Sequence, residues 1–441
     1  MPVSMPNSEP MPNEVALKMQ ADWNARAQED AFYYVAFGRR NQTDDEFLAT
    51  ASDQVHGFQL ELRRLPAARP RQRRALEIGC GPGRLMRPLS RHFGEIHGVD
   101  VSDEMVRMAR RKLEGVPHAH PHHAPNSNLE AFADDSFDFV YSYAVFQHIP
   151  SREVVIGYLK ESWRVLKPGG ILRCQINGLP QTARQYDTWA GVRLSAAEVR
   201  EFAAEQGFLL LALEGVDTQY MWTTLRKPPS PPSAVLADPG IRRITSAHSS
   251  EPAVPNRGRF AAISLWVTGL PSEADLNRLS LTVGGQPAFL TFLGHPEPDG
   301  VQQLNALLPE GLRTGLQPVA LVCDGNPFCP QAFLRLRPPG PPVPRILSVT
   351  DGIDLLAADR IVSRVVKISV EEIHVPEAIT VWVNGIPAAD VDWFCTEPRL
   401  PRYEVNFGIP AAIGPGLAEI ELREGSRRIG AARVLVDPQH V

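Results

Sequence analysis

The run Leu76-Glu-Ile-Gly-Cys-Gly-Pro-Gly-Arg84, followed by Ile96-His-Gly-Val-Asp100, constrains this chain more than any other stretch. An apolar run, a glycine-dense turn and a renewed helical pattern predict strand, tight loop and helix. A second short apolar run then ends in a carboxylate. Gly79, Gly81 and Gly83 carry no Cβ, so the backbone can turn sharply and a ligand can lie directly against it. A neighbouring parallel strand would present Asp100 at its carboxyl end, beside that turn. Carboxylate oxygens placed there can accept both hydroxyl protons of a ribose.

Spacing narrows the ligand. A dinucleotide fold needs glycines at the first, third and sixth positions, so that a helix N-terminus can meet a pyrophosphate. Counted from Gly79, the sixth position is Arg84 and the third glycine falls one residue early. An acid, Glu77, precedes the turn. This pattern resembles motif I of the class I S-adenosylmethionine-dependent methyltransferases, whose ligand has no phosphate. Four further stretches resemble the same family in the same order. Asp22-Trp-Asn-Ala-Arg-Ala27 is similar to the N-terminal helix that covers the cofactor. Ser136 to Pro150 is similar to the fourth strand and its loop, and Trp163-Arg-Val-Leu-Lys-Pro-Gly-Gly-Ile-Leu172 to the fifth strand and its approach. Gln219 to Lys227 is similar to the last strand.

The resemblance implies a Rossmann-like α/β domain, a seven-stranded mostly parallel sheet, over residues 13–227, with S-adenosyl-L-methionine as cofactor. It implies that Glu77 anchors the glycine turn and that Gly79, Cys80, Gly81 and Gly83 line the ligand with main chain. Asp100 would bind the ribose, Val101 and Met105 would flank the adenine, and Ser142 belongs to the same set. The family's adenine-binding acid falls here at Asn126, or at Asn128; an amide oxygen accepts the same hydrogen bond without charge. At the fourth-strand end, Tyr141 and Tyr143 supply an aromatic face that suits a sulfonium. His148 is the candidate general base, with packing of the next helix as its alternative role. Residues 177–195 lie where the family places its substrate cover.

Beyond Lys227 the chain changes character. Prolines and serines over 228–238 predict an extended linker. Helical periodicity then gives way to short alternating segments bounded by Gly, Pro and Asp. Val283-Gly-Gly-Gln-Pro-Ala288 recurs as Val383-Asn-Gly-Ile-Pro-Ala388, and Asn305, Pro309, Gly315 and Leu316 recur as Asn406, Pro410, Gly416 and Leu417. An internal repeat of roughly one hundred residues therefore covers 239–337 and 344–438, joined by a Pro-rich 338–343. Both copies resemble small immunoglobulin-like modules, all-β sandwiches with Trp266 and Leu281 expected in the first core and Trp382 and Ile420 in the second.

Composition excludes several functions. A net charge of −5 over 441 residues argues against a nucleic-acid partner, although Arg69, Arg71, Arg73 and Arg74 cluster before the first strand. Five scattered cysteines form no disulfide framework, and Cys323 and Cys329 read as reduced thiols. His118, His120, His122 and His123 alternate along an expected edge strand without the partners of a metal site. The start of the chain, an expected disordered tail over 1–12, is polar and lacks a signal peptide's apolar core, and no run reaches a membrane span. A cytoplasmic enzyme is expected, acting on an oxygen or nitrogen of a small-molecule, glycan or protein acceptor. The alternative is a catalytically silent cofactor-binding scaffold.

Overall fold

Residues 75–78 are buried on both faces, as a central parallel strand requires, and the rest of the first unit is arranged around them. In the computed structural model of the protein, the described residues are 12–36, 40–126, 128–181, 186–230, 237–340, 343–354, 357, 360–397 and 401–438. Residues 1–11 of the expected tail, Pro231 and Pro232 of the first linker, and 182–185 of the expected cover lie outside them. Contacts divide the chain into two units. The first comprises 1–35, 45–213 and 220–233; the second comprises 36–44, 214–219 and 234–441.

The first unit contains, in chain order, α1 (Pro12–Ala36), α2 (Asp44–Ala49), α3 (Ser52–Gly57), α4 (Gln59–Arg64), β1 (Arg74–Ile78), α5 (Met86–Leu89), β2 (Glu95–Asp100), α6 (Asp103–Lys112), β3 (Ala119–His123), β4 (Phe137–Ser142), α7 (Arg152–Val165), β5 (Leu166–Ile176), α8 (Ala196–Gln206), β6 (Leu209–Glu214) and β7 (Met221–Arg226). The strand order is β3-β2-β1-β4-β5-β7-β6. The pairs from β3 through β5 are parallel, and β7 runs antiparallel to β5. This is a Rossmann-like sheet with helices between its strands. Serine caps set the helix starts: the hydroxyls of Ser102, Ser151 and Ser195 accept from the backbone amides of Met105, Val154 and Glu198. The core packs Phe58, Phe139 and Tyr141 against Met86, Leu89 and Ile96.

The second unit is all β. Its first half contains β8 (Gly240–Ser246), β9 (Ala253–Pro255), β10 (Ala262–Thr268), β11 (Leu279–Val283), β12 (Gln286–Leu293), β13 (Val301–Leu307), β14 (Gly315–Cys323), β15 (Asn326–Pro327) and β16 (Ala332–Arg337). Its second half contains β17 (Arg345–Asp351), β18 (Arg360–Ile361), β19 (Val365–Glu371), β20 (Ile379–Val383), β21 (Ile386–Pro387), β22 (Asp392–Glu397), β23 (Arg402–Gly408), β24 (Gly416–Glu424) and β25 (Arg427–Val436). The sequence repeat is also a repeat of topology. The path β8-β10-β13-β12 corresponds to β17-β19-β23-β22, and β9-β16-β14-β11 corresponds to β18-β25-β24-β20. Each copy opens its second path with a parallel pair. Ile368 and Val405 of one sheet share a core with Val381 and Ile420 of the other.

The tryptophans depart from expectation. Leu281 and Ile420 are core residues, but Trp266 and Trp382 are only half-buried. Period two explains the difference: Leu265 and Val267 face inward, so Trp266 between them faces out, as does Trp382 between Val381 and Val383. The guanidiniums of Arg243 and Arg423 lie over the two rings, at 3.8 and 5.3 Å from their centroids.

No described helix is long and apolar enough to cross a membrane. All five cysteines are free. The histidines of β3 lie at the sheet edge, and among the described residues no cluster suits a metal ion. His97 Nδ1 lies 3.0 Å from His122 Nε2, and its ring stacks on that of His122. Burial, opposed by Glu95, holds the His97 imidazole down at about 4, against an ordinary 6.5. The unfolded chain therefore binds this proton more readily. Stability from neutral His97 is present above pH 6.5 and is lost as pH falls towards 4. Thermal melts between pH 7 and 4.5 should show a fall that His97→Phe, which keeps a ring but no titrating nitrogen, makes shallower by several degrees. Parallel profiles for the two proteins would contradict this.

Candidate functional site

Three adjoining features build the site: the turn after β1, the carboxyl end of β2, and the helix laid over both. Gly79, Gly81 and Gly83 all adopt positive φ. A Cβ on Gly79 would come within 2.3 Å of the Val145 side chain, so the loop after β4 packs directly on this turn. Asp100 closes the arrangement. Its Oδ2 accepts from the Gly81 amide at 2.8 Å and its Oδ1 from the Ser102 amide at 2.9 Å. Each oxygen keeps further acceptor capacity, which is what two vicinal hydroxyls need. Burial raises the Asp100 carboxyl, and these two amides draw it back.

The α1 helix is fastened to the same place. Asn24 Nδ2 donates to Asp103 Oδ1 at 2.7 Å, and Asn24 Oδ1 accepts from the Ser102 hydroxyl at 2.6 Å. Two residues to either side of Asn24, Asp22 accepts from the Thr188 hydroxyl at 2.6 Å and Arg26 donates to the Thr188 carbonyl at 3.0 Å. The Arg26 guanidinium also lies over the Trp23 and Trp189 rings. Thus α1 and the described part of the 177–195 segment are joined by hydrogen bonds. Val101 and Met105 are buried beside Asp100, and His123 Nε2 lies 3.1 Å from the Val101 carbonyl oxygen. Asn126 is exposed in the turn after β3, and Asn128 is half-buried. Cys80 is buried, and burial pushes its thiol well up.

The groups expected to do chemistry separate. Tyr141 is fully buried and donates to Glu77 Oε2 at 2.8 Å. Ser142 donates to the Ile78 carbonyl at 2.9 Å, joining β4 to the glycine turn. His148 is buried, with Nδ1 3.0 Å from the Trp189 carbonyl and Nε2 3.3 Å from Gln147 Nε2. A carbonyl can only accept, so Nδ1 carries the proton. Burial lowers the ring to about 4. Tyr143 lines an open cavity of about 360 Å³, with Gln54, Phe58, Arg173, Gln175 and Trp222. Ala144, the next residue, is held at φ +56° by a hydrogen bond from its amide to Gln175 Oε1 at 3.1 Å. Such non-glycine strain concentrates at functional loops.

Sequence reasoning missed Arg84, Arg173 and Trp222 as site groups. Arg84 is buried and donates to the Thr50 carbonyl at 2.9 Å. Its guanidinium lies over the Tyr143 ring, 5.4 Å from the centroid. Arg84 and Trp222 sit inside family-like stretches, but nothing in the sequence relates them to Arg173, because the turn after β1, β5 and β7 are distant in the chain.

Residues 76–174 match the family described as "Methyltransferase domain". The chain is similar to phosphoethanolamine N-methyltransferase 2 of Caenorhabditis elegans, with 27% identity over 33% of this chain and 34% of that protein. It is also similar to demethylmenaquinone methyltransferase of Staphylococcus saprophyticus, with 34% identity over 25% of this chain and 46% of that one. The chain thus spans between a third and a half of the length of these relatives. A structure of Haemonchus contortus phosphoethanolamine N-methyltransferase 1, in complex with phosphoethanolamine and S-adenosylhomocysteine, aligns over 51% of each chain at 13% identity and a TM-score of 0.39. The sequence match, not this remote likeness, identifies the domain. Residues 76–174 thus match a methyltransferase domain.

Glu77 offers a direct probe of this interior. Burial raises its carboxyl from 4.5 to about 8, opposed by the Tyr141 hydroxyl and the Arg84 charge. The fold prefers the protonated acid, so its contribution is greatest below pH 4.5 and is lost as pH rises through 8. Between pH 6 and 9 the native protein should lose at least about 3 °C more in melting temperature than Glu77→Gln, which cannot ionise. Equal losses would show that Glu77 is already ionised at pH 6.

Proposed function

We propose that the whole chain is an S-adenosylmethionine-dependent methyltransferase acting on an oxygen or nitrogen of a small-molecule or glycan acceptor. The Asp100 carboxylate carries this reading. Two backbone amides fix its position beside a turn whose three glycines all adopt positive φ. The residues fit the cofactor: acceptors for a ribose at Asp100, bare main chain at Gly79 and Gly81, and apolar cover at Val101 and Met105. When bound, the sulfonium supplies a methyl group already activated for displacement.

What the protein adds is placement and exclusion of water. Asp100 orients the nucleoside, Glu77 anchors the turn, and α1 with residues 186–190 covers the site through Asp22, Arg26 and Thr188. We assign Tyr143 to the acceptor side. His148 presents a neutral ring whose Nδ1–H holds the Trp189 carbonyl, and we assign it to positioning that cover. His148→Asn, which can restore the N–H donor, should then keep activity within about tenfold. A loss of 10²- to 10⁴-fold would make it the general base.

The two C-terminal repeats we read as immunoglobulin-like recognition or tethering modules, which raise the local concentration of an acceptor without altering the chemistry. Two measurements test the central reading. Calorimetry with S-adenosylhomocysteine should show binding that Asp100→Ala and Gly81→Val both reduce at least tenfold; unchanged binding in both would refute the site. Label from radiolabelled cofactor should move to a component of cell extract. If the protein binds cofactor and label never transfers, the silent-scaffold reading replaces this one.

A further inference from the structure

The arginines that precede β1 have no part in the site described above. Arg69 and Arg71, with Arg91 and His118, line an open cleft of about 1040 Å³. It lies at the amino ends of three parallel strands. Gln72, on its wall, stands two residues before β1, and Gly94 and His118 directly precede β2 and β3. The glycine turn and Asp100 close the carboxyl ends of β1 and β2, a strand length or on the order of 15 Å away.

The backbone of this surface is fixed, unlike that of a slack linker. Pro70 to Gln72 form a single 3₁₀ turn. The Gln72 amide donates to the Arg69 carbonyl at 2.9 Å and the Arg73 amide to the Pro70 carbonyl at 3.0 Å. The Gln72 side chain ties back, its Oε1 accepting from the Arg69 amide at 3.2 Å. The Gly94 amide then donates to the Arg73 carbonyl at 2.8 Å, and a Cβ on Gly94 would collide with the Arg71 carbonyl. On the facing segment Arg91 follows Ser90, which is buried and whose carbonyl lies 3.1 Å from His118 Nε2.

The charges on it are uncommitted. None of the residues lining the cleft is acidic, and among the described residues Arg69, Arg71 and Arg91 are exposed and have no carboxylate partner. Arg74, by contrast, is paired with Glu95 at 2.8 Å, Arg152 with Glu198 at 2.6 Å and Arg164 with Asp134 at 2.7 Å. Three unpaired guanidiniums on one concave surface repel each other, and no contact within the fold repays that cost.

We propose that this cleft is an anion site, separate from the cofactor site, and that it takes a soluble small molecule carrying a diphosphate group. A guanidinium presents a rigid fork of donors that matches phosphate oxygens two at a time. A single carboxylate has two oxygens in one plane, whereas a diphosphate spreads its oxygens over two tetrahedra. It can therefore meet Arg69 and Arg71 on one segment and Arg91 on the other together. Size agrees: about 1040 Å³ is at the upper end of small-molecule pockets and leaves room for the body of a phosphorylated metabolite. A concave wall suits a ligand that enters it rather than a bilayer lying across it. Its one phenyl ring, Phe93, is buried, so the cleft lacks the exposed stacking platform that single-stranded nucleic acid uses.

Calorimetry on the whole protein, at fixed ionic strength, tests this with inorganic pyrophosphate and with citrate, whose charge is carried on carboxylates. Pyrophosphate should bind at least tenfold more tightly than citrate, and saturating S-adenosylhomocysteine should leave its affinity within twofold. Arg71→Gln together with Arg91→Gln should weaken pyrophosphate at least tenfold at an unchanged melting temperature. Arg313→Gln with Arg335→Gln, which removes the same charge from exposed positions of the second unit, should leave it within twofold. Equal binding of citrate, equal losses in the two double variants, or competition with S-adenosylhomocysteine would overturn the assignment. So would capture of the protein by phosphatidate vesicles without binding of pyrophosphate, which would make the cleft a membrane surface instead. Failure of S-adenosylhomocysteine to bind would sink the methyltransferase reading and leave the anion site to stand on the pyrophosphate result.

Discussion

Two backbone amides, from Gly81 and Ser102, grip the Asp100 carboxylate from either side, and the first unit depends on that grip. One amide belongs to the turn after β1 and the other to the start of α6. A single side chain thus locks the ends of two parallel strands in register. Ser102 passes the constraint on: its hydroxyl caps α6 through the Met105 amide and also donates to Asn24 of α1. Asp103, the next residue, accepts from Asn24 as well. A buried carboxylate costs free energy unless it is hydrogen-bonded, and here the bonds that satisfy it also fix the position of the ligand acceptors. Structure and site are therefore one arrangement of donors and acceptors.

Behind the turn lies a second layer, set by burial more than by direct charge pairing. Glu77, Tyr141 and Arg84 sit in the interior, and the proton on Glu77 lets an acid occupy it without full ionisation. Arg84 extends from this layer to Tyr143 and Gln54, which links the cofactor end of the domain to the open cavity. The second unit follows a different logic. Its two copies share strand order, and Glu371, which is almost fully buried, is met by Arg259 of the first copy and by Arg345 and Arg402 of the second. That acid joins the first copy to the second.

The sequence made the first unit legible where the chemistry is local. Glycines at three alternate positions and an acid ending the next strand act over a few residues, and the strand, turn and strand they predict are present. The sheet repeats were legible for the same reason: turn residues recur with the strands they join. What was not legible depends on distant segments. Trp222, Arg173 and Gln54 come from β7, β5 and α3, and no spacing relates them. Tyr141 and Tyr143 look equivalent in the chain, yet one is sealed against Glu77 and the other lines a cavity. Trp266 and Trp382 were misplaced because size suggested core, whereas the alternation of Leu265 with Val267, and of Val381 with Val383, already pointed them outward.

The central claim is that Asp100 and the glycine turn hold a nucleoside in a defined pose, and a crystal structure with S-adenosylhomocysteine tests it most directly. The account predicts both ribose hydroxyls within hydrogen-bonding distance of the Asp100 carboxylate, the adenine against Val101 and Met105, and the main chain of Gly79 and Gly81 against the ligand. A ligand bound elsewhere, or bound here with its ribose turned away from Asp100, would contradict it.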